Sequence, residues 1–412
     1  MTSTATEFFP NHGTIELDAI TKRAAAMRRA ASGRPFGEDA LAFLGSVSGR
    51  LLAEEVRTKY PRLAALGFWI RAPMLARLAK RYQSRAAEDN AMLVARGLVF
   101  HLPPANVDVM FAYSWLLSLL AGNANLVRLP RSLNPAARFL LDVAAREAVD
   151  FRAIRDSSLL LHYAHSAAAN RAMSEQCDAR AIWGGDAKVL DLRTVPLPPR
   201  AIQIEFTDRF SYAAFNVHAY VAAPESDRSA LANRFFNDVF WFDQMGCASP
   251  RMVFWVGDKE EAKTAAKDLW SRLGAVISSR GYSVDASTAV AKLAYADRFT
   301  LDWPVEAVHR LSNELTVISL AEPVDFRGHV MGAGMMTECQ IGSLSDIAPF
   351  VAPKDQTLVQ FGFQRDEIED LLTKSRGRGL DRVVPIGRAL DFHHLWDGYD
   401  LIATLCRVVH VV

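Results

Sequence analysis

The chain has 412 residues, room for roughly two to three domains at about 150 residues each. Half of its residues are hydrophobic and 23% are charged, so a substantial core is expected and a disordered, collagenous or disulfide-built chain is excluded. Lys+Arg total 47 against 46 for Asp+Glu, a net charge of +1, which excludes a generally basic nucleic-acid binder and a polyacidic tail, though not a local patch.

Residues 15–80 read as helical, with apolar positions three and four apart among arginines. Their basic stretch TKRAAAMRRAASGR is either a membrane- or acid-facing patch or a plain solvated helix face, and the second is the commoner use of such runs. From residue 93 short apolar segments alternate with helical ones. LVARGLVFHLP predicts a strand, Asn106–Leu120 a helix, NLVRLP a strand, and Pro135 to about Val149 a helix. LLLHYA and ARAIWGG then predict strands flanking a helix at AANRAMSEQ, with a short helix starting at Asp186. This alternation indicates βαβ units and a mostly parallel sheet. A second series follows: strand YAAFNVHAYVAA, helix ESDRSALANRFFNDVFWF, strand RMVFWV and helix KEEAKTAAKDLWSRL. The expected division is a helical N-terminal region 1–92, an α/β domain 93–222, a second α/β domain 223–380 and a C-terminal segment 381–412.

Cys177, Cys247, Cys339 and Cys406 lie far apart without a CxxC pair, which suggests neither a zinc ribbon nor a disulfide framework and fits a reducing cytoplasm. No basic stretch followed by an apolar one opens the chain, so no secretory signal is expected. The longest apolar run, Val107 to Ala121, contains Asp108, Ser114 and Ser118 and falls short of the about 20 apolar residues that a bilayer span needs. No integral membrane segment is expected. His162 with His165, and His393 with His394, lack a third ligand at suitable spacing, so no metal site is expected. Arg376-Gly377-Arg378-Gly379 is a single copy of an RNA-binding pattern and reads as a loop; no nucleic-acid partner is expected.

Three constellations carry chemistry. Cys247 stands in Asp243-Gln244-Met245-Gly246-Cys247-Ala248-Ser249-Pro250, between a predicted helix and a predicted strand. Gly246 permits a sharp turn and the small neighbours leave room for a substrate, as a nucleophilic thiol requires; an inert buried cysteine is the other reading. Asn106, after Pro103-Pro104-Ala105, is either an ordinary helix N-cap or an amide aimed at an oxyanion. Trp183-Gly184-Gly185-Asp186 joins a strand to a helix, where backbone amides face a pyrophosphate or simply turn the chain. Neither GxGxxG nor GxxxxGK[ST] occurs.

In this order the three resemble the aldehyde dehydrogenase superfamily, and more narrowly its acyl-CoA reductase branch, typified by the fatty-acid reductase component of bacterial luminescence systems. Leu98-Val99-Phe100-His101-Leu102-Pro103-Pro104-Ala105-Asn106 resembles the strand leading to the Asn-containing loop. Ala121-Gly122-Asn123-Ala124-Asn125-Leu126-Val127-Arg128-Leu129-Pro130 resembles the superfamily's AGN…K/R stretch, and the Cys247 segment matches the branch's nucleophile segment. Val384-Pro385-Ile386-Gly387-Arg388-Ala389-Leu390-Asp391-Phe392 and Trp396-Asp397-Gly398-Tyr399-Asp400-Leu401 also look like that branch. The resemblance covers about residues 93–412 and implies an α/β, aldehyde dehydrogenase-like fold with two doubly wound domains.

It also implies a reaction. Cys247 attacks an acyl thioester, of CoA or of acyl carrier protein, to form an acyl-enzyme. The Asn106 amide and the Cys247 backbone N–H stabilise the oxyanion. A nicotinamide then delivers hydride to release an aldehyde. Arg128 stands where the superfamily has a lysine near the adenosine ribose; a guanidinium there pairs with a 2′-phosphate, favouring NADPH while NADH stays open. A plain strand-end arginine is the alternative. Gly184 and Gly185 fall where the superfamily chain passes the pyrophosphate. One departure concerns Glu205: oxidising members follow their glutamate with Leu-Gly-Gly, whereas here the segment is Ile204-Glu205-Phe206-Thr207-Asp208-Arg209. Glu205 is thus either an acid/base or an ordinary salt-bridged or solvated carboxylate. The implied partners are the thioester substrate, a second copy in a dimer or tetramer, and an acyl-transferring enzyme. The rival functions are an aldehyde dehydrogenase working in the oxidising direction and a non-catalytic subunit of a complex.

Overall fold

The computed structural model describes residues 4–104 and 109–411. The chain divides into two compact units, Met1–Thr207 with Phe392–Val412, and Asp208–Asp391.

The first unit is built on a seven-stranded sheet. Five parallel strands run in the spatial order Ser158–His162, Ala124–Arg128, Leu98–Leu102, Ala179–Trp183, Ile202–Phe206. The chain starts in the middle at Leu98–Leu102, steps outward twice to one side, then returns to build the other side. That reversal creates a switch point between Leu98–Leu102 and Ala179–Trp183, beyond whose carboxyl ends such sheets bind ligands. The central strands are buried along both faces and are accordingly apolar almost throughout. The helix Met110–Leu120 is buried at every residue, which explains why its sequence is apolar on all sides.

The N-terminal region is not purely helical. Helices occupy Leu17–Ala30, Glu38–Leu51, Glu54–Lys59, Pro61–Trp69 and Ala72–Glu88, but Thr4–Phe9 and Gly13–Glu16 form an antiparallel pair at the sheet edge. Ala5, Glu7 and Phe9 point inward while Thr6 is exposed, a period of two masked by polar residues. The predicted single strand LVARGLVFHLP is two strands. Ala91–Ala95 pairs with Cys406–His410 in a separate sheet, and Leu98–Leu102 enters the main one. Gly97 separates them at φ +133°, and a Cβ there would meet Asp178 Oδ2 at 2.2 Å, so the direction change requires glycine.

The AGN stretch is a structural joint. Asn123 Oδ1 accepts from the Arg96 and Gly97 N–H groups at 2.8 and 3.0 Å, and its amide donates to Leu405 O at 2.9 Å. The C-terminal segment is thereby bonded to the first unit. Its short hairpin, Leu395–Trp396 with Tyr399–Asp400, turns at Asp397 and Gly398, both at positive φ as a type I′ turn demands.

The second unit holds another seven-stranded sheet, in the order Val305–Arg310, Thr316–Leu320, Met335–Ile341, Met252–Val256, Phe210–Asn216, Asp355–Phe361, Arg382–Pro385. All neighbours are parallel except the first pair. Val253 and Trp255 face the helices Glu225–Phe240 and Lys259–Ser279, while Met252 and Phe254 face Ala286–Asp302 and Arg365–Lys374, the alternation of a doubly covered sheet. Phe210–Asn216, read from sequence within 93–222, pairs on both sides inside this second sheet, so the second unit begins near Asp208.

Candidate active site

In the second unit the chain leaves the helix Glu225–Phe240 through an unusual turn. Phe242, Asp243 and Gln244 have φ of +60°, +52° and +62°. Left-handed conformation costs an L-residue about 1–2 kcal/mol, so three in succession persist only when their surroundings hold them. Asp243 and Gln244 are both held. Buried Gln244 donates through Nε2 to Pro250 O at 2.9 Å and Met335 O at 3.1 Å, and its Oε1 accepts from the Gly334 N–H at 3.0 Å. The Tyr282 hydroxyl donates to Asp243 Oδ1 at 3.0 Å, and the Ala333 N–H to Asp243 O at 2.9 Å. Ala333 is secured in turn by the buried Lys292, whose ammonium donates to Ala333 O and Asn313 O, each at 2.7 Å. Burial brings the Lys292 ammonium down to about 8.

Three residues after Gln244 comes Cys247. It is half-buried, whereas Cys177, Cys339 and Cys406 are buried and their thiols are pushed up to about 12, chiefly by burial. Gly246 has a packing reason: a Cβ there would meet Leu390 Cδ2 and Ser249 Oγ, both at 3.1 Å. The Cys247 carbonyl accepts from the Ser211 hydroxyl at 2.8 Å, and the Gln356 amide lies 3.4 Å from Sγ. Buried Arg251, held by Met331 O at 3.1 Å, interacts electrostatically with Cys247.

The segment Val384–Phe392 singled out in the sequence is tied to the same turn. Asp238, fully buried on the helix leading to it, accepts from the Gly387 N–H at 2.5 Å and the Ala389 N–H at 2.9 Å. Burial pushes its carboxyl up to about 7 against those two bonds. Leu390, the next residue, is the side chain facing Gly246.

The first unit contains a cavity of about 960 Å³ at the carboxyl ends of Leu98–Leu102, Ala124–Arg128, Ser158–His162 and Ala179–Trp183. Arg128, Gly184 and Gly185 all line it, as do Arg131, His162, His165 and Lys188; among the described residues no carboxylate does. The Arg128 guanidinium lies 4.7 Å from the Tyr163 ring centroid, and its Nε is buried without a hydrogen-bond partner among the described residues. Gly184 is followed by Gly185, the N-cap of Asp186–Arg193, which leaves that helix start without a side-chain cap.

Sequence reasoning missed Lys188. Its ammonium donates to Leu102 O and Pro103 O, both at 3.1 Å, and to Trp183 O at 2.8 Å, bridging the two sides of the switch point. A Cβ on Gly184 would meet Lys188 Cδ at 2.7 Å, so the glycine makes room for this side chain. Burial, then the Arg128 charge, brings the ammonium down to about 8. A lysine three residues after the glycine pair was the available signal.

Glu205 lies on Ile202–Phe206 in the first unit and is engaged by neighbours. Arg193 donates to both carboxylate oxygens, with Nε at 2.7 Å, and the Gln203 amide donates as well. The Arg193 hydrogen bonds hold the carboxyl below its ordinary range. Of the two sequence readings, the salt-bridged carboxylate is the one these contacts describe. Asn106 lies in 105–108, outside the described residues. Among the described residues no three His, Cys, Asp or Glu side chains are grouped to hold a metal, and no helix is long and apolar enough to cross a membrane.

A family model described as acyl-CoA reductase (LuxC) matches residues 77–408, well over half of the chain. The chain belongs to the LuxC family of acyl-CoA reductases. Membership makes it an aldehyde-related oxidoreductase. No curated protein gives a significant match. Among solved structures, aldehyde dehydrogenase 21 from Physcomitrella patens, in complex with its product succinate, is 10% identical with a TM-score of 0.66, covering 95% of this chain and 89% of that one. The NAD-dependent benzaldehyde dehydrogenase from Corynebacterium glutamicum is 11% identical at TM-score 0.63, with coverage of 98% and 93%. The Delta-pyrroline-5-carboxylate dehydrogenase from Mycobacterium tuberculosis, bound with NAD and cobalamin, is 13% identical at 0.65, with coverage of 97% and 85%. At such identities the likeness establishes the aldehyde dehydrogenase-like α/β fold. In this LuxC-family chain, Arg128, Gly184 and Gly185 share one cavity, Cys247 follows the clamped turn in the other unit, and Glu205 is in an ion pair.

Proposed function

We propose that this LuxC-family chain reduces an acyl thioester, of CoA or of a carrier protein, to an aldehyde with NADPH, through an acyl group carried on Cys247. The observation that carries the reading is the half-buried Cys247 just after a left-handed turn that Gln244, Asp243 and Lys292 hold in place.

Cys247 Sγ bonds to the thioester carbonyl carbon, and the carbon–sulfur bond to the carrier breaks; the carrier leaves as a thiol after taking up a proton. The Cys247 backbone N–H, with the Asn106 amide that the sequence resemblance assigns, is the donor set for the oxyanion. A reduced nicotinamide, when bound, supplies the hydride that the acyl carbon accepts. The thiohemiacetal on Cys247 then collapses, freeing the aldehyde and restoring the cysteine.

The first-unit cavity fits a phosphorylated dinucleotide. Its volume is ample, its rim pairs a glycine turn with an uncapped helix start, and Arg128 carries a buried Nε in need of an acceptor. Arg128 and Arg131, with no opposing carboxylate among the described lining residues, suit a 2′-phosphate better than a bare ribose, which supports NADPH. Glu205, ionised and engaged by Arg193, is poorly disposed to activate a hydrolytic water, since a general base works best with a pKa near the operating pH. A protected acyl-enzyme suits the reductive direction.

The test compares nicotinamide absorbance in both directions. Acyl-CoA with NADPH is expected to consume the cofactor and yield aldehyde. Faster NAD(P)⁺ reduction by aldehyde to free acid, with no thioester reduction, contradicts the proposal.

A further inference from the structure

Resting on the reading of Cys247 as nucleophile, we propose that Gln356 is a further catalytic residue, its side-chain amide donating to the Cys247 sulfur so as to aim the thiolate and stabilise it.

The two residues are 109 positions apart, yet a closed loop of hydrogen bonds joins them. Gln356 Nε2 donates to Cys247 Sγ at 3.4 Å. From the same cysteine, the carbonyl accepts from the Ser211 hydroxyl at 2.8 Å, and Ser211 Oγ accepts from the Thr357 N–H at 3.2 Å. Thr357 is the residue after Gln356, which closes the loop through the backbone. Ser211, Gln356 and Thr357 are all fully buried, so the bonds form where water does not compete.

The orientation of the amide is also determined. The Thr357 hydroxyl donates to Gln356 Oε1 at 3.4 Å, which directs the carboxamide oxygen to the threonine and the NH₂ to the sulfur. The backbone beneath is anchored one residue earlier. Asp355, fully buried, takes Arg327 Nε at 2.6 Å and Nη2 at 2.7 Å, the Tyr212 hydroxyl at 2.9 Å and the Ala352 N–H at 2.8 Å. A donor fixed from both ends loses little entropy when the sulfur becomes charged. Hydrogen bonding to the charged form of an acid favours that form, and a thiolate accepts more strongly than a thiol.

The experiment uses the full chain without nicotinamide or thioester. Alkylation of Cys247 by iodoacetamide is followed by peptide mass from pH 5 to 10 in wild type, Gln356→Met, Gln356→Glu and Thr357→Val. Only the thiolate reacts, so the profile reads its population. Gln356→Met is expected to move the profile up by about one pH unit, roughly tenfold slower labelling at pH 7 with the same plateau at high pH. Gln356→Glu is expected to move it further, because a carboxylate opposes a neighbouring negative charge. Thr357→Val keeps the amide but frees its orientation, and a smaller shift in the same direction is expected even if the Gln356 variants misfold. Superimposed profiles in the folded variants overturn the assignment and leave the nucleophile reading intact. A wild-type Cys247 that resists labelling at every pH overturns the nucleophile reading and this one with it.

Discussion

Lys188 shows how one side chain serves both architecture and charge. Its three N–H donors are matched to three carbonyls across the switch point, and its pKa lies near 8, so a proton is lost from it just above neutrality. Below about pH 8 the ammonium adds to the field of Arg128 and Arg131 in a cavity also lined by His162 and His165. NADPH affinity is therefore expected to fall as pH rises through 8. Lys188→Met is expected to weaken binding about tenfold at pH 7 and to remove that limb, as titration by fluorescence or calorimetry would show. Glu205 gives the opposite expectation. Its partner Arg193 is more than half exposed, so Glu205→Gln should change stability by about 1 kcal/mol or less and leave thioester reduction intact. A loss of reduction in a folded Glu205→Gln protein would restore the carboxylate to the chemistry. The sequence announced Cys247, Arg128 and the glycine pair because each sits in a local pattern. Gln356 acts across a separation of 109 residues and leaves no such pattern, and the one trace of the buried Lys188 is its place three residues after the glycine pair.

Among the elements, the left-handed turn before Cys247 depends most on its supports. Gln244→Leu removes the donor to Pro250 O and Met335 O and leaves the Gly334 N–H unpaired in a buried place. It is expected to cost about 2–4 kcal/mol, measurable by urea unfolding, and to slow Cys247 chemistry in whatever protein folds. Asp238 adds a pH dependence. Its folded pKa is raised, so the folded state holds the proton more tightly than the unfolded one, and stability is lost as pH rises from about 4 through 7. Burial is the cause, with Asp391 raising and Arg382 lowering the value. Asp238→Asn does not titrate, so melting temperatures at pH 5 and 8 are expected to fall for wild type relative to the variant. An equal change in both would remove Asp238 from the account. The helices and central strands were legible because their periodicities are strong. Thr4–Phe9 was hidden by threonines and Glu7, and the left-handed turn was invisible because Phe, Asp and Gln carry no glycine signal.

For the whole molecule, the candidate site features divide between the two sheets. A basic cavity lies at the switch point of one, and the half-buried thiol of Cys247 follows the clamped turn in the other. The extent of the second unit was less readable than its existence, since Phe210–Asn216 declares its sheet only through its neighbours. The cavity predicts that NADPH binds more tightly than NADH, and that Arg128→Ala narrows the difference by about tenfold, the order expected for one charge-assisted phosphate contact. Equal affinities in wild type would contradict the 2′-phosphate reading without touching the cysteine.

The central claim is that the Cys247 sulfur carries the acyl group. Incubating the chain with an acyl-CoA in the absence of nicotinamide and weighing the intact protein tests this most directly. The account predicts a mass increase of one acyl group on Cys247, absent in Cys247→Ala and discharged as aldehyde when NADPH is added. No adduct in wild type, or an adduct that persists in Cys247→Ala, would contradict it.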